Sequence, residues 1–312
     1  MSIQNIKVIR VHQYGGPEQL KLEQVECPKP SVGEVLIRVH AVGVLPTDCK
    51  IRSGMLKDFF SVDFPYIPGS SIAGVIEEIG PDVTGFKKGQ AVFGQSTKGA
   101  YAEYITTSVE RLALKPDGIS FDEAVTIHGG AGSAWAVLFD NAKLQEGQRV
   151  LIHGAAGGVG LFATQLAKWK GAHVIGTAST ANVDFVRSLG ADTVIDYTTT
   201  PFEEVVQDVD LVIDSIGGDT LERSWSVLKR GGTILSLVTH PSQEKAQELS
   251  VRAEHNIARP NREALRTIAQ LMADGKIKTF ISKTFTLDEA PQAHELCQYG
   301  HVRGRIVFHI AD

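Results

Sequence analysis

Cysteines are few in this sequence and lie far apart. Cys27, Cys49 and Cys297 are the only ones among 312 residues. Three isolated cysteines cannot build a disulfide framework, and they lack the paired spacing of a cysteine-rich zinc lobe. We therefore expect a protein of a reducing compartment, the cytoplasm, whose fold depends on its apolar core.

Long apolar runs and a strong net charge are also missing. No stretch approaches the ~20 apolar residues of a membrane span, and the first residues form no signal-peptide block. The formal net charge is only −5, which disfavours a dedicated nucleic-acid or membrane binder. The apolar fraction of 43 % is ordinary for a globular protein. We expect a soluble protein whose partner is a small molecule.

Two sequence textures predict two domains. Short alternating strands bounded by turns run to about residue 120, and strands alternating with helices follow. That second pattern is typical of βαβ units and a parallel sheet. The tail returns to extended segments, so we expect it to rejoin the first domain. The predicted fold is a β-rich domain of residues 1–121 and 275–312 and a doubly wound α/β domain of residues 122–274.

Hydrophobic periodicity places the elements of the second domain and the tail. Strands are predicted at residues 149–153, 173–176, 193–196, 211–214 and 233–238, and helices at residues 158–170, 182–189, 220–229 and 261–274. The tail is predicted to be extended over 277–281, helical over 287–298 and extended again over 305–310. Residues 251–258 are a candidate edge strand, although Glu254 and His255 make it polar.

A glycine-rich turn is the strongest motif. The run Gly154-Ala155-Ala156-Gly157-Gly158-Val159-Gly160 follows an apolar strand and opens an amphipathic helix. Such a turn lets a pyrophosphate approach the backbone and meet the N–H groups of the helix N-terminus. The spacing departs from Gly-x-Gly-x-x-Gly, and a tight turn without a ligand is the alternative interpretation. We predict a dinucleotide site here.

The end of the following strand favours NADP over NAD. Thr177, Ser179 and Thr180 stand there, without the carboxylate that would hold the ribose 2′-hydroxyl of NAD. Their hydroxyls can donate to a 2′-phosphate, and Ser179 can at the same time cap the next helix.

Several catalytic constellations are absent. The first domain has no Cys–His or His–Glu pair for an open zinc site. The chain also lacks the Tyr-x-x-x-Lys pair of short-chain dehydrogenases and the Gly-x-Ser-x-Gly elbow of hydrolases. Cys49 beside Asp48 is interpreted as a bystander thiol. We therefore predict no metal site.

Four segments together carry a family resemblance. They are Gly43-Val44-Leu45-Pro46-Thr47-Asp48, Ile67-Pro68-Gly69-Ser70-Ser71-Ile72-Ala73-Gly74, residues 151–160 and Gly300-His301-Val302-Arg303-Gly304-Arg305-Ile306-Val307. Over about residues 6–310 the chain resembles the zinc-free, quinone-oxidoreductase branch of the medium-chain dehydrogenase/reductase superfamily, which includes zeta-crystallin. Leu45 with Pro46, and Ser70 with Ser71, take the places where zinc-dependent relatives carry Cys-His and His-Glu.

The resemblance implies a GroES-like catalytic domain, a Rossmann domain, NADPH as cofactor, no zinc and a homodimer. Pro46 and Ser133 match positions beside the nicotinamide. The other implied cofactor contacts are Gly154, Ala155, Ala156, Gly157, Gly158, Val159, Thr177, Ser179, Tyr197, Ser215, Ile216, Leu237, Val238, Arg303 and Arg305. A solvated turn is the alternative for Arg303 and Arg305. The family often has a cation after Ser179, and residues 181–183 contain none.

No residue is identified as catalytic, but Thr47, Tyr66 and His128 are candidates to line the cleft. His128 either donates a proton or is a satisfied, partly buried histidine. Tyr66 is more typical of packing than of proton donation.

The leading hypothesis is NADPH-dependent hydride transfer to a quinone or another conjugated carbonyl. A conjugated acceptor spreads the arriving charge and needs no Lewis acid, and solvent can supply the proton. Two alternatives stay open. One is a reductase of 2-alkenal or enone double bonds, and the other is a non-catalytic NADPH-binding sensor.

Overall fold

The structure is a computed structural model that describes residues 4–255, 260–300 and 302–311. The strands are β1 (Asn5–Arg10), β2 (Lys21–Glu26), β3 (Glu34–Val44), β4 (Ser71–Ile79), β5 (Ala91–Gln95), β6 (Tyr104–Ser108), β7 (Leu112–Leu114), β8 (Arg149–Ile152), β9 (His173–Ala178), β10 (Thr193–Asp196), β11 (Val209–Asp214), β12 (Leu228–Ser236), β13 (Arg252–His255), β14 (Ile281–Phe285) and β15 (Arg305–His309). The α-helices are α1 (Pro46–Arg52), α2 (Phe121–Thr126), α3 (Gly132–Trp135), α4 (Gly160–Trp169), α5 (Val183–Ser188), α6 (Gly218–Ser224), α7 (Gln243–Glu248), α8 (Arg262–Ala273) and α9 (Ala290–Tyr299). Within the described ranges, no helix has the length and apolar character to cross a membrane.

The first compact unit comprises Met1–Gly129, Asn261–Gly275 and Ile281–Asp312. Its larger sheet has the strand order β14-β15-β3-β4-β5-β7, with β6 also paired to β3, and β1 and β2 form a separate antiparallel pair. β3 pairs antiparallel with β4, β6 and β15. Val35, Ile37 and Val39 of this central strand are fully buried and form the middle of the unit's core.

The second compact unit comprises Gly130–Pro260 and Lys276–Phe280. Its six strands are all parallel in the order β10-β9-β8-β11-β12-β13. The chain therefore winds outward from β8 in one direction and then from β11 in the other, which defines a doubly wound Rossmann sheet. Residues 150–152 are fully buried, as expected where helices cover both faces of a parallel sheet. The predicted combination of a β-rich domain and a doubly wound domain is confirmed.

The units divide at other residues than the sequence texture predicts. Residues 122–129 and 261–274 cluster with the first unit, although both were predicted to belong to the doubly wound domain. α2 packs on β3 and β4, and the apolar face of α8 packs against β7. Residues 276–280 cluster instead with the second unit, where the backbone N–H of Lys278 donates to Oε1 of Gln165 at 2.8 Å. Helical periodicity predicted α8 but not the sheet that it covers, and α2 was not predicted as a helix.

Most predicted elements of the second unit occur within a few residues of their expected bounds, and β10 matches at both ends. The predicted helix over 220–229 is wrong at its end, because α6 stops at Ser224 and β12 already begins at Leu228. Gly231 and Gly232 interrupt the apolar alternation there, so the sequence pattern does not predict the first part of this strand. In the tail, the predicted extended segment 277–281 is wrong because the strand occupies Ile281–Phe285. The candidate edge strand is present over Arg252–His255, and residues 256–258 lie outside the described residues.

Candidate active site

The carboxyl edge of the parallel sheet gathers most of the predicted cofactor residues. The segments that follow β8 to β12 carry Gly154, Ala155, Ala156, Gly157, Gly158, Val159, Ser179, Tyr197, Ser215, Ile216, Leu237 and Val238. β8 and β11 are neighbours, and the winding direction reverses between them. In doubly wound sheets the crevice at this reversal is where ligands bind.

The turn after β8 has the backbone of an anion site. Gly154 has φ +68°, a left-handed conformation that favours glycine. The N–H of Ala155 donates to the carbonyl of Thr177 at 3.1 Å, which fixes the turn on β9. The N–H groups of Ala156, Gly158 and Val159 have no acceptor among the described residues. They precede α4, so they are available to an anion at the helix N-terminus.

The buried, neutral side chain of His153 supports this turn. The His153 ring lies 3.2 Å from the Thr177 hydroxyl and 2.9 Å from the Ser224 hydroxyl, and burial lowers its pKa to about 4. Thr177 is buried, so its hydroxyl contacts this histidine rather than the open edge where the resemblance placed it. Ser215 donates to the carbonyl of His153 at 2.9 Å, which joins the loops after β8 and β11. The sequence reasoning missed His153, whose only signal was a polar residue directly before the glycine turn.

Asp214 organises the loop after β11, and it too was missed. Its carboxylate accepts from the N–H groups of Ile216 and Gly217 at 3.0 and 2.9 Å and from the Ser236 hydroxyl at 2.8 Å. Asp214 is fully buried, so these donors compensate the loss of water around its charge. An acidic residue that ends an apolar strand was the signal that could have indicated this role.

The end of β9 is polar and lies beside an acidic residue. The Ser179 hydroxyl accepts from the Asn182 side chain at 3.1 Å, so it is engaged at the start of the next helical turn. Hydrogen bonds from Thr180 and Thr198 lower the pKa of the Asp196 carboxyl, which therefore carries a negative charge next to this loop. Tyr197 follows Asp196 and is 54 % exposed. Ser133 lies in α3, half-buried, and α3 packs on α4.

In the first unit, α1 presents two of the predicted residues at its start. Pro46 and Thr47 are exposed, and proline suits the first helical position because no N–H is needed there. The Asp48 carboxylate turns inward and accepts from the N–H of Leu45 at 2.9 Å.

A buried polar cluster lies behind α1. The Tyr101 hydroxyl is 3.1 Å from Oδ2 of Asp48 and 2.9 Å from Nε2 of His294. Burial raises the pKa of Asp48 to about 7, and burial lowers the pKa of His294 to about 3. Neither Tyr101 nor His294 was predicted to be part of a site. Their sequence separation from Asp48 leaves no local pattern that could have indicated the cluster.

Arg305 belongs to this cluster rather than to an open surface. It is 4 % exposed, and its charge favours the ionised form of Asp48. The interpretation of Arg305 as part of a solvated turn is therefore wrong, because β15 begins there and directs the side chain into the unit. The predicted cofactor contact of Arg305 would require this buried guanidinium to be accessible. Arg303 is half-buried.

The loops that bind zinc in relatives have a different donor set here. Leu45 is buried and apolar, and the buried Ser71 hydroxyl lies 3.3 Å from Nδ1 of His128. Gly129 packs on Leu45 so closely that an added Cβ would lie 2.7 Å from Cδ2 of that side chain. No three His, Cys, Asp or Glu side chains of the described ranges converge as a metal site would require. One imidazole beside one hydroxyl does not fit zinc.

Tyr66 packs rather than presenting its hydroxyl. Its ring centroid lies 5.9 Å from that of Phe64, and its hydroxyl is buried without a hydrogen-bond partner among the described residues. Burial raises the pKa of Tyr66, so this phenol holds its proton firmly. The packing interpretation of Tyr66 agrees with these contacts.

Comparison with known proteins identifies both parts of the chain. Residues 31–117 match the alcohol dehydrogenase GroES-like domain, and residues 189–308 match a family described as zinc-binding dehydrogenase. Quinone oxidoreductase from Mus musculus is 32 % identical over 93 % of this chain and 93 % of its own length. A 2-methylene-furan-3-one reductase from Solanum lycopersicum is 33 % identical over 95 % of this chain and 77 % of its own length.

A solved structure agrees with these relatives. The Escherichia coli quinone oxidoreductase complexed with NADPH has a TM-score of 0.88 and 29 % identity, and the match covers 97 % of this chain and 99 % of that one. A GroES-like domain combined with a Rossmann domain defines a medium-chain dehydrogenase/reductase, an NAD(P)H oxidoreductase. Within this class, the chain belongs to the zinc-free quinone oxidoreductase family.

Proposed function

We propose that the protein is an NADPH-dependent, zinc-independent reductase that transfers hydride to a quinone or another conjugated carbonyl. Two features of the chain together carry the proposal. The glycine turn after β8 offers N–H groups to an anion, and the side chains at the positions that bind zinc in relatives do not suit the metal. NADPH supplies the hydride when bound. The tasks of this chain are to hold the dinucleotide, orient it and support charge on the acceptor oxygen.

The residues of the second unit fit a dinucleotide. The free N–H groups of Ala156, Gly158 and Val159 would hold the pyrophosphate at the start of α4. Ser215 and Ile216 flank the same turn, and Ser179 and Tyr197 stand where the adenosine half would lie. Their exposure and their common position on one sheet edge support this assignment.

The preference for NADPH over NADH is expected to be modest. Ser179 offers a hydroxyl to the 2′-phosphate, but residues 181–183 bring no cation and the Asp196 carboxylate stands nearby. We expect KM for NADPH to lie below that for NADH by about tenfold or less, a difference of about 1.4 kcal/mol. Steady-state kinetics with both cofactors at one ionic strength measures this ratio.

His128 is the candidate proton donor, and Ser71 is the residue that would position its ring. A His128→Gln variant tests this role. If His128 donates in the rate-limiting step, kcat falls by at least ~10-fold while KM for NADPH stays constant, and Ser71→Ala shows a smaller fall. An unchanged kcat assigns the proton to solvent instead.

The acceptor assay tests the proposal as a whole. Chelator-treated protein is mixed with NADPH and a small quinone, NADPH and a 2-alkenal, or NADP and a primary alcohol, and the nicotinamide absorbance is followed. We expect turnover of the conjugated acceptors without metal and no gain on adding zinc, because Leu45 and Ser71 cannot replace the ligands of a catalytic zinc. Alcohol oxidation that depends on zinc would overturn the proposal.

The same assay separates the two remaining functions. Faster turnover of the alkenal than of the quinone identifies an enone double-bond reductase. Firm NADPH binding without turnover of any acceptor identifies a sensor.

We also propose a homodimer in the cytoplasm. β13 ends the parallel sheet and pairs only with β12 among the described strands, so its outer edge is available to a second copy. All three cysteines are free thiols, which suits a reducing compartment. Light scattering should give about twice the chain mass of 33.7 kDa, and the monomer mass would contradict the dimer.

A further inference from the structure

Two of the three cysteines meet where α1 packs against α9. The Cys49 thiol lies 3.8 Å from the carbonyl oxygen of His294, and Cys297 follows one helical turn later on the same face of α9. One turn further along α1, the Arg52 guanidinium donates to Oε1 of Gln298 at 2.7 Å. These two contacts fix the register of the two helices and place Cys49 against the turn of α9 that carries Cys297.

The two thiols differ in exposure and in acidity. Cys49 is 4 % exposed, whereas Cys297 is only partly buried. The two groups act on each other's acidity: Cys49 lowers the pKa of Cys297, and Cys297 raises the pKa of Cys49. The buried Arg305 guanidinium also favours a thiolate at Cys297. Cys297 is therefore the more nucleophilic and the more accessible member of the pair.

Cys27 provides a contrast within the same unit. Its thiol contacts the carbonyl of Pro28 at 3.8 Å, and burial raises its pKa. Among the described residues no second cysteine acts on its pKa, so it serves as an internal control.

We propose that Cys49 and Cys297 form a redox-active dithiol that a hydroperoxide converts to an intramolecular disulfide, tying α1 to α9. This inference is independent of which acceptor the enzyme reduces. The disulfide would fix the helix that carries Pro46 and Thr47, and thiol reductants would release it.

The reaction balances in two steps. The Cys297 thiolate attacks one oxygen of the hydroperoxide, the O–O bond breaks, and the alkoxide leaves with a proton as an alcohol, which gives a sulfenic acid. The Cys49 sulfur then attacks the Cys297 sulfur, the S–O bond breaks, and water leaves with the proton of Cys49. Two thiols are oxidised by two electrons, and one peroxide is reduced to an alcohol and water.

Thiol counting on the full-length protein tests the proposal. Hydrogen peroxide in slight excess should lower the titratable thiols of the unfolded protein from three to one, with loss of two hydrogens in intact mass. Dithiothreitol should restore all three thiols. The Cys27→Ser variant should go from two titratable thiols to none, because the reacting pair is intact in it.

The single variants test the order of the two steps. In Cys49→Ser, the first step occurs without the second, so dimedone should label Cys297 as a sulfenic acid. Cys297→Ser should keep both of its thiols under the same treatment. Retention of all three thiols by the wild type, dimedone labelling at Cys27, or disulfide-linked dimers on a non-reducing gel would each overturn the proposal.

Discussion

At the scale of single residues, Asp48 shows how the interior of the first unit changes a carboxyl group. Its neighbours are the N–H of Leu45, the Tyr101 hydroxyl and the Arg305 guanidinium, which all favour the ionised form. Burial acts in the opposite direction and is the larger effect, so the pKa of Asp48 rises from its ordinary 3.8 to about 7. Between these two pKa values the folded protein therefore keeps a proton that the unfolded chain has already lost.

This shift predicts a pH-dependent stability. Between about pH 4 and 7 the folded state binds more protons than the unfolded state, so stability falls as pH rises, by up to about 1.4 kcal/mol per pH unit. The loss is complete above pH 7. Asp48→Asn cannot ionise and keeps an oxygen acceptor, so its free energy of unfolding should lack this slope.

Urea titrations of the wild type and Asp48→Asn at several pH values between 5 and 8 measure the difference. Asp122→Asn is a control, because Asp122 is a half-buried carboxyl group beside His309 on the same unit and lies outside this cluster. Parallel profiles for the wild type and Asp48→Asn would show that Asp48 is ionised in the folded protein at pH 5 as well.

At the scale of elements, the turn from β8 into α4 contains two glycines that are needed for different reasons. A Cβ on Gly160 would lie 2.1 Å from the backbone oxygen of Gly154, closer than any real contact allows. A Cβ on Gly157 would meet only that oxygen, at 3.2 Å, and would otherwise extend into open space. Gly160 is therefore needed for folding, and the open space beside Gly157 is where the proposed dinucleotide would approach.

Two matched alanine variants test this division. Gly157→Ala should raise KM for NADPH by about tenfold and change stability little, because only the approach of the pyrophosphate is obstructed. Gly160→Ala should lower the free energy of unfolding by about 1–3 kcal/mol or more, because the clash is with backbone. Thermal unfolding and cofactor titration of both variants give the comparison, and equal effects on binding and stability in the two variants would contradict it.

The same turn shows which part of this site a local sequence pattern can encode. Strand, glycine run and amphipathic helix are contiguous, so the local pattern predicts this structure, and the dinucleotide stays a prediction. The cluster of Asp48, Tyr101, His294 and Arg305 is different. Four separate segments of the chain bring these residues together, so no local sequence spacing predicts the cluster. α1 was not predicted either, because no helical period is visible in the sequence before about residue 120.

At the scale of the whole molecule, sequence texture predicts the two units but not all of their boundaries. α2 and α8 resemble helices of the doubly wound domain in sequence, yet both cover the β-rich sheet of the first unit. A helix buries its apolar stripe in the same way against either kind of sheet, so amphipathicity cannot identify the partner. Only the contacts of the folded chain assign these helices.

The proposed dinucleotide site predicts that NADPH slows amide exchange at one edge of the parallel sheet and not at the other. Every residue of this unit assigned to the dinucleotide, except Ser133 and the buried Thr177, follows the carboxyl end of a strand. Saturating NADPH should therefore slow amide exchange in residues 154–160, 215–217 and 237–238. Segments at the amino ends of the same strands, such as residues 145–149 and 207–210, should keep their rates. The N–H groups of Ala156, Gly158 and Val159 should show the largest change, because they gain an acceptor that the described residues do not provide.

Hydrogen exchange followed by mass spectrometry, with and without NADPH, gives this map. Gly157→Ala is the matched control, since it should show the same exchange without cofactor and weaker protection at equal NADPH concentration. Ligand binding stabilises the whole folded state by about 2.7 kcal/mol at one hundred times Kd, so a uniform rise in protection measures affinity alone. The dinucleotide site is assigned by the additional protection that residues at the carboxyl edge show beyond this uniform rise. Equal protection at both edges, or protection confined to the amino ends, would place the dinucleotide elsewhere.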